Sequence, residues 1–362
     1  MVGGRTNALK LALIVVAAML ALVPLPRHVV EQMYSRGLYA MVQPRLTALS
    51  NSTSFAWFDG LALLAAGVTA VLWITRLRAR RTSTGATLGG LVVDTAAIGA
   101  VLYLWFLGAW GLNYQRQPLR EQLDFSEERI TGAALRVLAD RTVDSLNALY
   151  GEAHAEGWPE LAAAPSALEP AFSRAQRDLA LPWTAHGGRP KRTLFNFYFT
   201  RVSIDGMTGP FFLETLANDT LLPFERPATI AHEWSHLAGY ADESEANFVG
   251  WLVCMRGPVS AQYSGWLSLY GTVAGALPRS ERDGVMRRLE EGPRADLRAM
   301  SDRVRRHAVP AASRAGYALY DRFLKANRVE AGVRSYGEVL RLLLGTRFGE
   351  DGSPILRPSL LP

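Results

Sequence analysis

A single cysteine, Cys254, occurs among 362 residues. A disulfide within the chain is therefore impossible, and cysteine usage says nothing about compartment. Cys254 stands in the apolar run 248–255 and reads as a buried structural thiol. Zinc-finger spacing, a glycine-rich phosphate loop, a nucleic-acid-binding motif and internal repeats are all missing. Charge of one sign is also scarce: Lys plus Arg is 39, Asp plus Glu is 33, and the net charge is +6. Part of that excess flanks apolar segments, so it reads as membrane flanking, and no nucleic-acid partner is expected.

Apolar sequence, by contrast, is abundant near the N-terminus. Residues 11–25, 60–75 and 88–110 form three apolar runs, the last ending in Tyr103, Trp105, Phe106 and Trp110. The third has full spanning length, and the first two reach it with their flanks. Three transmembrane helices are expected, at about 8–26, 57–76 and 88–111. The first begins with Arg5 and Lys10 but ends Val-Pro-Leu-Pro-Arg, without a small-x-small cleavage site, and reads as an uncleaved helix. Arg76, Arg78, Arg80 and Arg81 form the densest basic cluster near the membrane, which places that loop in the cytoplasm and residues 112–362 outside. Residues 27–56 become an external loop. Asp94, inside the third run, is expected to reach water near its cytoplasmic end.

From about residue 124 the pattern changes. Asp124 and Glu127 resemble a capping box, followed by an amphipathic helix through Ile130, Ala134, Leu138, Thr142, Leu146 and Leu149. Residues 158–165 read as a loop and 166–180 as a second helix. The aromatic and β-branched stretch 192–204 reads as a strand, 206–210 as a turn, and 211–216 as a strand pairing back. Beyond 226 nearly everything reads as helix. The expected fold is mainly α (α+β): a membrane anchor over 1–111, then a mostly helical domain with a small β-sheet over 112–362.

The segment 227–255 carries the chemistry. Pro227 suits a first helical turn, and His232 and His236, four residues apart, share one helical face and can grip one metal ion. Glu233 lies beside the first histidine, where a carboxylate can act on water at the metal, and Gly239 can end the helix. A catalytic zinc needs three protein ligands and one open position. Asp242, Glu243 and Glu245 compete for the third place. Asp242 and Glu245 make a natural capping box for the next helix, which frees Glu243 to face the metal, with Asn247 on the same face to hold it. Asp242 would instead complete an HExxHxxGxxD pattern.

HEWSH followed by DESEANF is similar to the HExxH and ExxA(N/D) pair of thermolysin-like zinc peptidases, in which the Glu of the second motif is the third ligand. More closely, the chain resembles the bacterial domain-of-unknown-function family 3810. The likeness is carried by Trp110, Gly111, Leu112, Asn113 and Tyr114 with Arg116 and Pro118, by Gly206 through Phe211 with Glu214, by the metal segment, and by Tyr320, Asp321, Leu324, Lys325, Ala326, Asn327, Ser335 and Tyr336. It implies membrane helices followed by an HExxH domain, and supports Glu243 as the third ligand. The activity that follows is that of a zinc metallopeptidase. One Zn2+ held by His232, His236 and Glu243 activates water, Glu233 is the general base, and a peptide or protein is the substrate. One of the strands at 192–204 or 211–216 would pair with that substrate. Tyr336, Tyr320, Arg334 and His307 are candidates for stabilising the oxyanion. The rival reading is a membrane sensor that binds metal without catalysis. A site inside a spanning helix is excluded by the charges at 225–226 and 242–245.

Overall fold

The computed structural model describes residues 2–79, 84–329 and 338–357. The N-terminal part is α1 (Val2–Leu22), α2 (Arg27–Val29) continuing through a π-helical stretch (Val30–Leu38) into α3 (Tyr39–Asn51), then α4 (Trp57–Ala79) and α5 (Thr84–Ala109). α4 and α5 are each long and apolar enough to cross a membrane. α4 leaves Leu63, Leu64, Val68, Val71 and Ile74 exposed, as a helix that meets lipid does. The first apolar run passes the same test only together with Arg27–Asn51, across a bend of 111°. In place of three separate spans there are two, or three if the bent pair counts as one.

The supposed loop 27–56 is helical over 27–51 and lies in the core. Its inward stripe, Ser35, Tyr39, Gln43 and Thr47, repeats every four residues but is mostly polar, so a search for apolar periodicity passes over it. These side chains bond to distant backbone: Tyr39 to the Leu237 carbonyl (2.8 Å), Gln43 to the His186 carbonyl (2.8 Å) and Thr47 to the Leu213 carbonyl (3.0 Å). Asp94 also differs from expectation. It is buried and paired with Lys10 of α1 at 2.6 Å and Arg76 of α4 at 2.7 Å, so its charge is answered by two cations instead of water.

The rest comprises α6 (Gly132–Glu156), α7 (Ala164–Asp178), β1 (Pro190–Lys191), α8 (Asn196–Val202), β2 (Gly206–Gly209), β3 (Glu214–Ala217), α9 (Arg226–Leu237), α10 (Glu243–Met255), α11 (Val259–Ala276), α12 (Arg279–Arg288), α13 (Glu291–His307), α14 (Pro310–Ala326) and α15 (Val339–Gly345). α6 begins later than the Asp124–Glu127 pair suggested: Thr131 is its N-cap, accepting from the Ala134 N–H at 3.1 Å, while Asp124 pairs with Arg129. Cys254 is fully buried, and burial pushes its thiol up to about 12, as an inert core residue requires.

The stretch 192–204 is not a strand. Asp59, near the start of α4, accepts from Thr193 Oγ1 (2.5 Å) and the Leu194 N–H (2.8 Å), which ends β1. The Asn196 N–H then bonds back to the Thr193 carbonyl, and the chain turns into α8. Tertiary contacts thus override the β propensity of its aromatic residues. The expected turn at 206–210 is instead β2, and the reversal falls at 210–213, with Leu213 at φ +53°. β3 is the central strand, parallel to β1 and antiparallel to β2, with Gly209 opposite Glu214. β2 is therefore an edge strand, and the face that carries Gly206 and Thr208 packs on α9.

The sheet is riveted to α4 through Glu214. Its carboxylate, fully buried, accepts from the Trp57 and Phe58 N–H groups (2.8 Å each) and from Lys191 Nζ (2.8 Å). These are orphan N–H groups of the first turn of α4, which a carboxylate satisfies well.

Candidate metal centre

α9 and α10 cross closely. A Cβ on Gly250 would lie 2.9 Å from both Cα and N of His232, so only glycine permits this approach. Gly239, at φ +89°, turns the chain between the helices. Asp242 then caps α10, accepting from the Ser244 N–H (2.8 Å) and the Glu245 N–H (3.3 Å). Glu243 follows in the first turn and points at the histidines.

His232, His236 and Glu243 each offer a ligand atom, and these atoms lie within 4.8 Å of one another. Glu243 Oε2 is 3.3 Å from His232 Nε2 and 3.7 Å from His236 Nε2. It is buried and, among the described residues, has no hydrogen-bond partner. The other carboxylate oxygen accepts from the Tyr320 hydroxyl of α14. His236 Nδ1 donates to the Tyr240 carbonyl at 2.7 Å, which leaves the Nε2 lone pair free to bind a metal. Two imidazole nitrogens and one carboxylate oxygen, the last a buried acceptor without a hydrogen-bond donor, fit a three-ligand catalytic zinc set.

The electrostatics agree. Burial opposes charge on both His236 and Glu243, but their mutual attraction prevails, raising His236 to about 9 and holding Glu243 well below the usual carboxylate range. Without a metal, a proton on His236 thus answers the Glu243 charge, and a cation binding there displaces that proton. Glu233, also buried, is pushed up by desolvation despite the two neighbouring histidines. Thr208 Oγ1 of β2 donates to its Oε2 at 2.9 Å, and Gly206 lets the strand pass: a Cβ there would come 2.7 Å from Glu233 Oε1.

The rival ligands lie apart from this group. Asp242 spends its carboxylate on the cap. Glu245 completes no capping box: it accepts from the Leu119 N–H at 2.6 Å, and burial followed by the nearby Asp242 charge pushes it up to about 8. Asn247 makes no hydrogen bond to Glu243 among the described residues; Tyr320 takes that place. Of the other oxyanion candidates, His307 is exposed at the end of α13 and outside the group, while Arg334 and Tyr336 fall outside the described residues.

The family whose profile matches residues 34–344 is described as protein of unknown function (DUF3810). The chain belongs to that family. No curated protein and no solved structure matches the chain significantly. Several stretches that carried the family likeness acquire a physical role in this DUF3810 protein. Carbonyls at the end of α9 and in the turn after it are bonded from afar: His236 by Trp110 Nε1 (2.9 Å) besides the local Gly239 N–H, Leu237 by Tyr39, and Gly239 by Arg116 (3.1 Å). Arg116 is itself buried and paired with Glu31 at 3.0 Å. Sequence reasoning missed Thr208, Tyr39 and Glu31 as supports of the site, because each is recognisable only once its distant partner is known.

Proposed function

We propose that this chain is a membrane-anchored, zinc-dependent metallopeptidase in which His232, His236 and Glu243 hold one zinc ion and Glu233 is the general base. The observation that carries the reading is the buried, unpartnered Oε2 of Glu243 facing both histidine Nε2 atoms, with Glu233 beside them. A zinc ion bound there supplies Lewis acidity and lowers the pKa of water toward about 7. Glu233 accepts the proton of the attacking water and delivers it to the leaving amine. Thr208 fixes the orientation of that carboxylate. Tyr320 positions Glu243. An extended substrate adds as a further strand along the outer edge of β2, since α8 is a helix and β3 is already paired on both sides.

α4 begins and α5 ends at this domain, where Glu214 caps α4 and Trp110 caps α9, whereas Arg76 and Arg78 lie at the far end of α4. With that basic end in the cytoplasm, the domain faces outward. A reporter fused to the C-terminus checks this: an external signal is expected, and a cytoplasmic one contradicts it. For the activity, the full-length protein, zinc-loaded in detergent, is expected to cleave an unfolded protein such as casein. Glu233→Gln is expected to keep its zinc and lose cleavage. Equal cleavage by wild type and Glu233→Gln would overturn the assignment.

A further inference from the structure

We infer that the aromatic rim formed by α8 and the segment leading into it is seated in the headgroup region of a lipid bilayer, so that the domain lies against the membrane instead of hanging from it. Leu194 is 65% exposed and Phe197 61%, with Phe195 and Tyr198 also open, while α8 buries only Phe199 and Val202. A seven-residue helix that turns two of its four apolar side chains outward, next to the exposed Leu194 and Phe195 that lead into it, needs a covering surface.

The covering surface follows from where the rim is fixed. Asp59, in the first turn of α4, holds Thr193 and Leu194 at 2.5 and 2.8 Å, and Phe58 meets Phe195 ring to ring at 5.7 Å. Leu194 therefore sits level with the start of a helix that is long and apolar enough to span. The rim continues without a break around that level. Phe58 stacks near Phe211 (6.3 Å), Phe212 meets both Trp57 (5.4 Å) and Trp105 (5.2 Å), and Phe55 is 59% exposed. Trp105 near the end of α5 donates to the Phe211 carbonyl. Tryptophans at both helix ends mark the interfacial belt, and α8 lies in the same belt. Exposed Arg189, Arg192 and Arg201 border the patch, and Arg201 lies 5.8 Å from the Phe197 ring centre, suited to lipid phosphates.

The seating sets the reach of the candidate site. From Trp57 the path runs through Glu214 to its partner Gly209, then to Thr208 and Glu233, on the order of 20 Å along its steps and shorter in a straight line. If the site is a peptidase, which is the reading proposed above, it acts on chain within about five extended residues of the bilayer surface, that is, on juxtamembrane segments. The contact with lipid rests only on α4 and α5 spanning the bilayer, not on catalysis.

Lipid quenching tests it. Cys254 is buried, so single cysteines at Leu194→Cys, Phe197→Cys, Leu64→Cys and Glu291→Cys take an environment-sensitive fluorophore selectively, with the wild type as blank. The full-length variants are reconstituted in phosphatidylcholine vesicles carrying spin labels either just below the headgroup or near the acyl-chain end. Labels at 194 and 197 are expected to be quenched by the shallow spin label more than the deep one. The label at 64, about 10 Å further along α4 than Trp57, should respond more to the deep one, and that at 291 to neither. Quenching at 64 with none at 194 and 197 overturns the seating alone. Blue-shifted but unquenched emission at 194 and 197 also overturns it, in favour of a protein partner. No quenching at 64 overturns the spanning reading beneath it.

Discussion

Glu214 and Glu243 are both buried acids, and each faces basic groups, yet their surroundings differ in one respect. Both oxygens of Glu214 are bonded: Oε1 accepts from the Trp57 N–H and the Lys191 ammonium, with Ser50 Oγ at 3.5 Å, and Oε2 accepts from the Phe58 N–H. Glu243 has one oxygen bonded by Tyr320 and one left bare between two imidazoles. An unmatched buried acceptor costs free energy that folding does not recover. It persists at Glu243 where a cation can complete it, whereas Glu214 is complete as it stands. On the function proposed above, the difference separates a carboxylate that builds the fold from one kept ready for a ligand.

Substitutions at the two places should diverge accordingly. Beside the open acid, Glu233→Gln is expected to lower kcat/KM by roughly 10²–10⁴-fold while zinc content and thermal unfolding stay as in the wild type. A parallel loss of zinc would mean that Glu233 is a ligand and not the base. At the closed acid the effect should fall on stability instead. Glu214→Gln leaves the fully buried Lys191 uncompensated and is expected to cost about 3–5 kcal/mol, read as a lower unfolding temperature in detergent, with zinc affinity unchanged in the folded fraction. Zinc loss without destabilisation would break the contrast.

Smaller effects sharpen it. Gly250→Ala forces a methyl against the His232 backbone and should cost roughly 1–3 kcal/mol, with weaker zinc binding because the two helices are pushed apart; unchanged zinc affinity would show that their spacing does not set the site. Asp242→Ala removes only a cap, about 1 kcal/mol, and should retain zinc. A variant stripped of metal would restore Asp242 as the third ligand.

How legible these features were depended on how local they are. His232, Glu233 and His236 are set by one helical period, and Glu243 by the cap at Asp242 just before it, so the sequence exposed all four to view. The second half of that cap could not be read, because Glu245 turns to the Leu119 N–H, 126 residues away in sequence. Residues 27–51 looked like a loop because their buried stripe is polar and bonds to carbonyls more than a hundred residues off. α8 carries the composition of a strand and is made a helix by Asp59 in another element. Asp94 was expected in water because neither Lys10 nor Arg76 is near enough in the chain to suggest a triad.

On the function proposed above, the Oε2 of Glu243 that lacks a hydrogen-bond donor is a metal ligand. Zinc content of the purified full-length protein, measured by elemental analysis after dialysis against metal-free buffer and compared with Glu243→Ala, tests it most directly. One zinc per chain in the wild type and nearly none in a folded Glu243→Ala is the outcome expected from the three-ligand site. Equal zinc in both proteins, or none in the wild type after zinc loading, would contradict it.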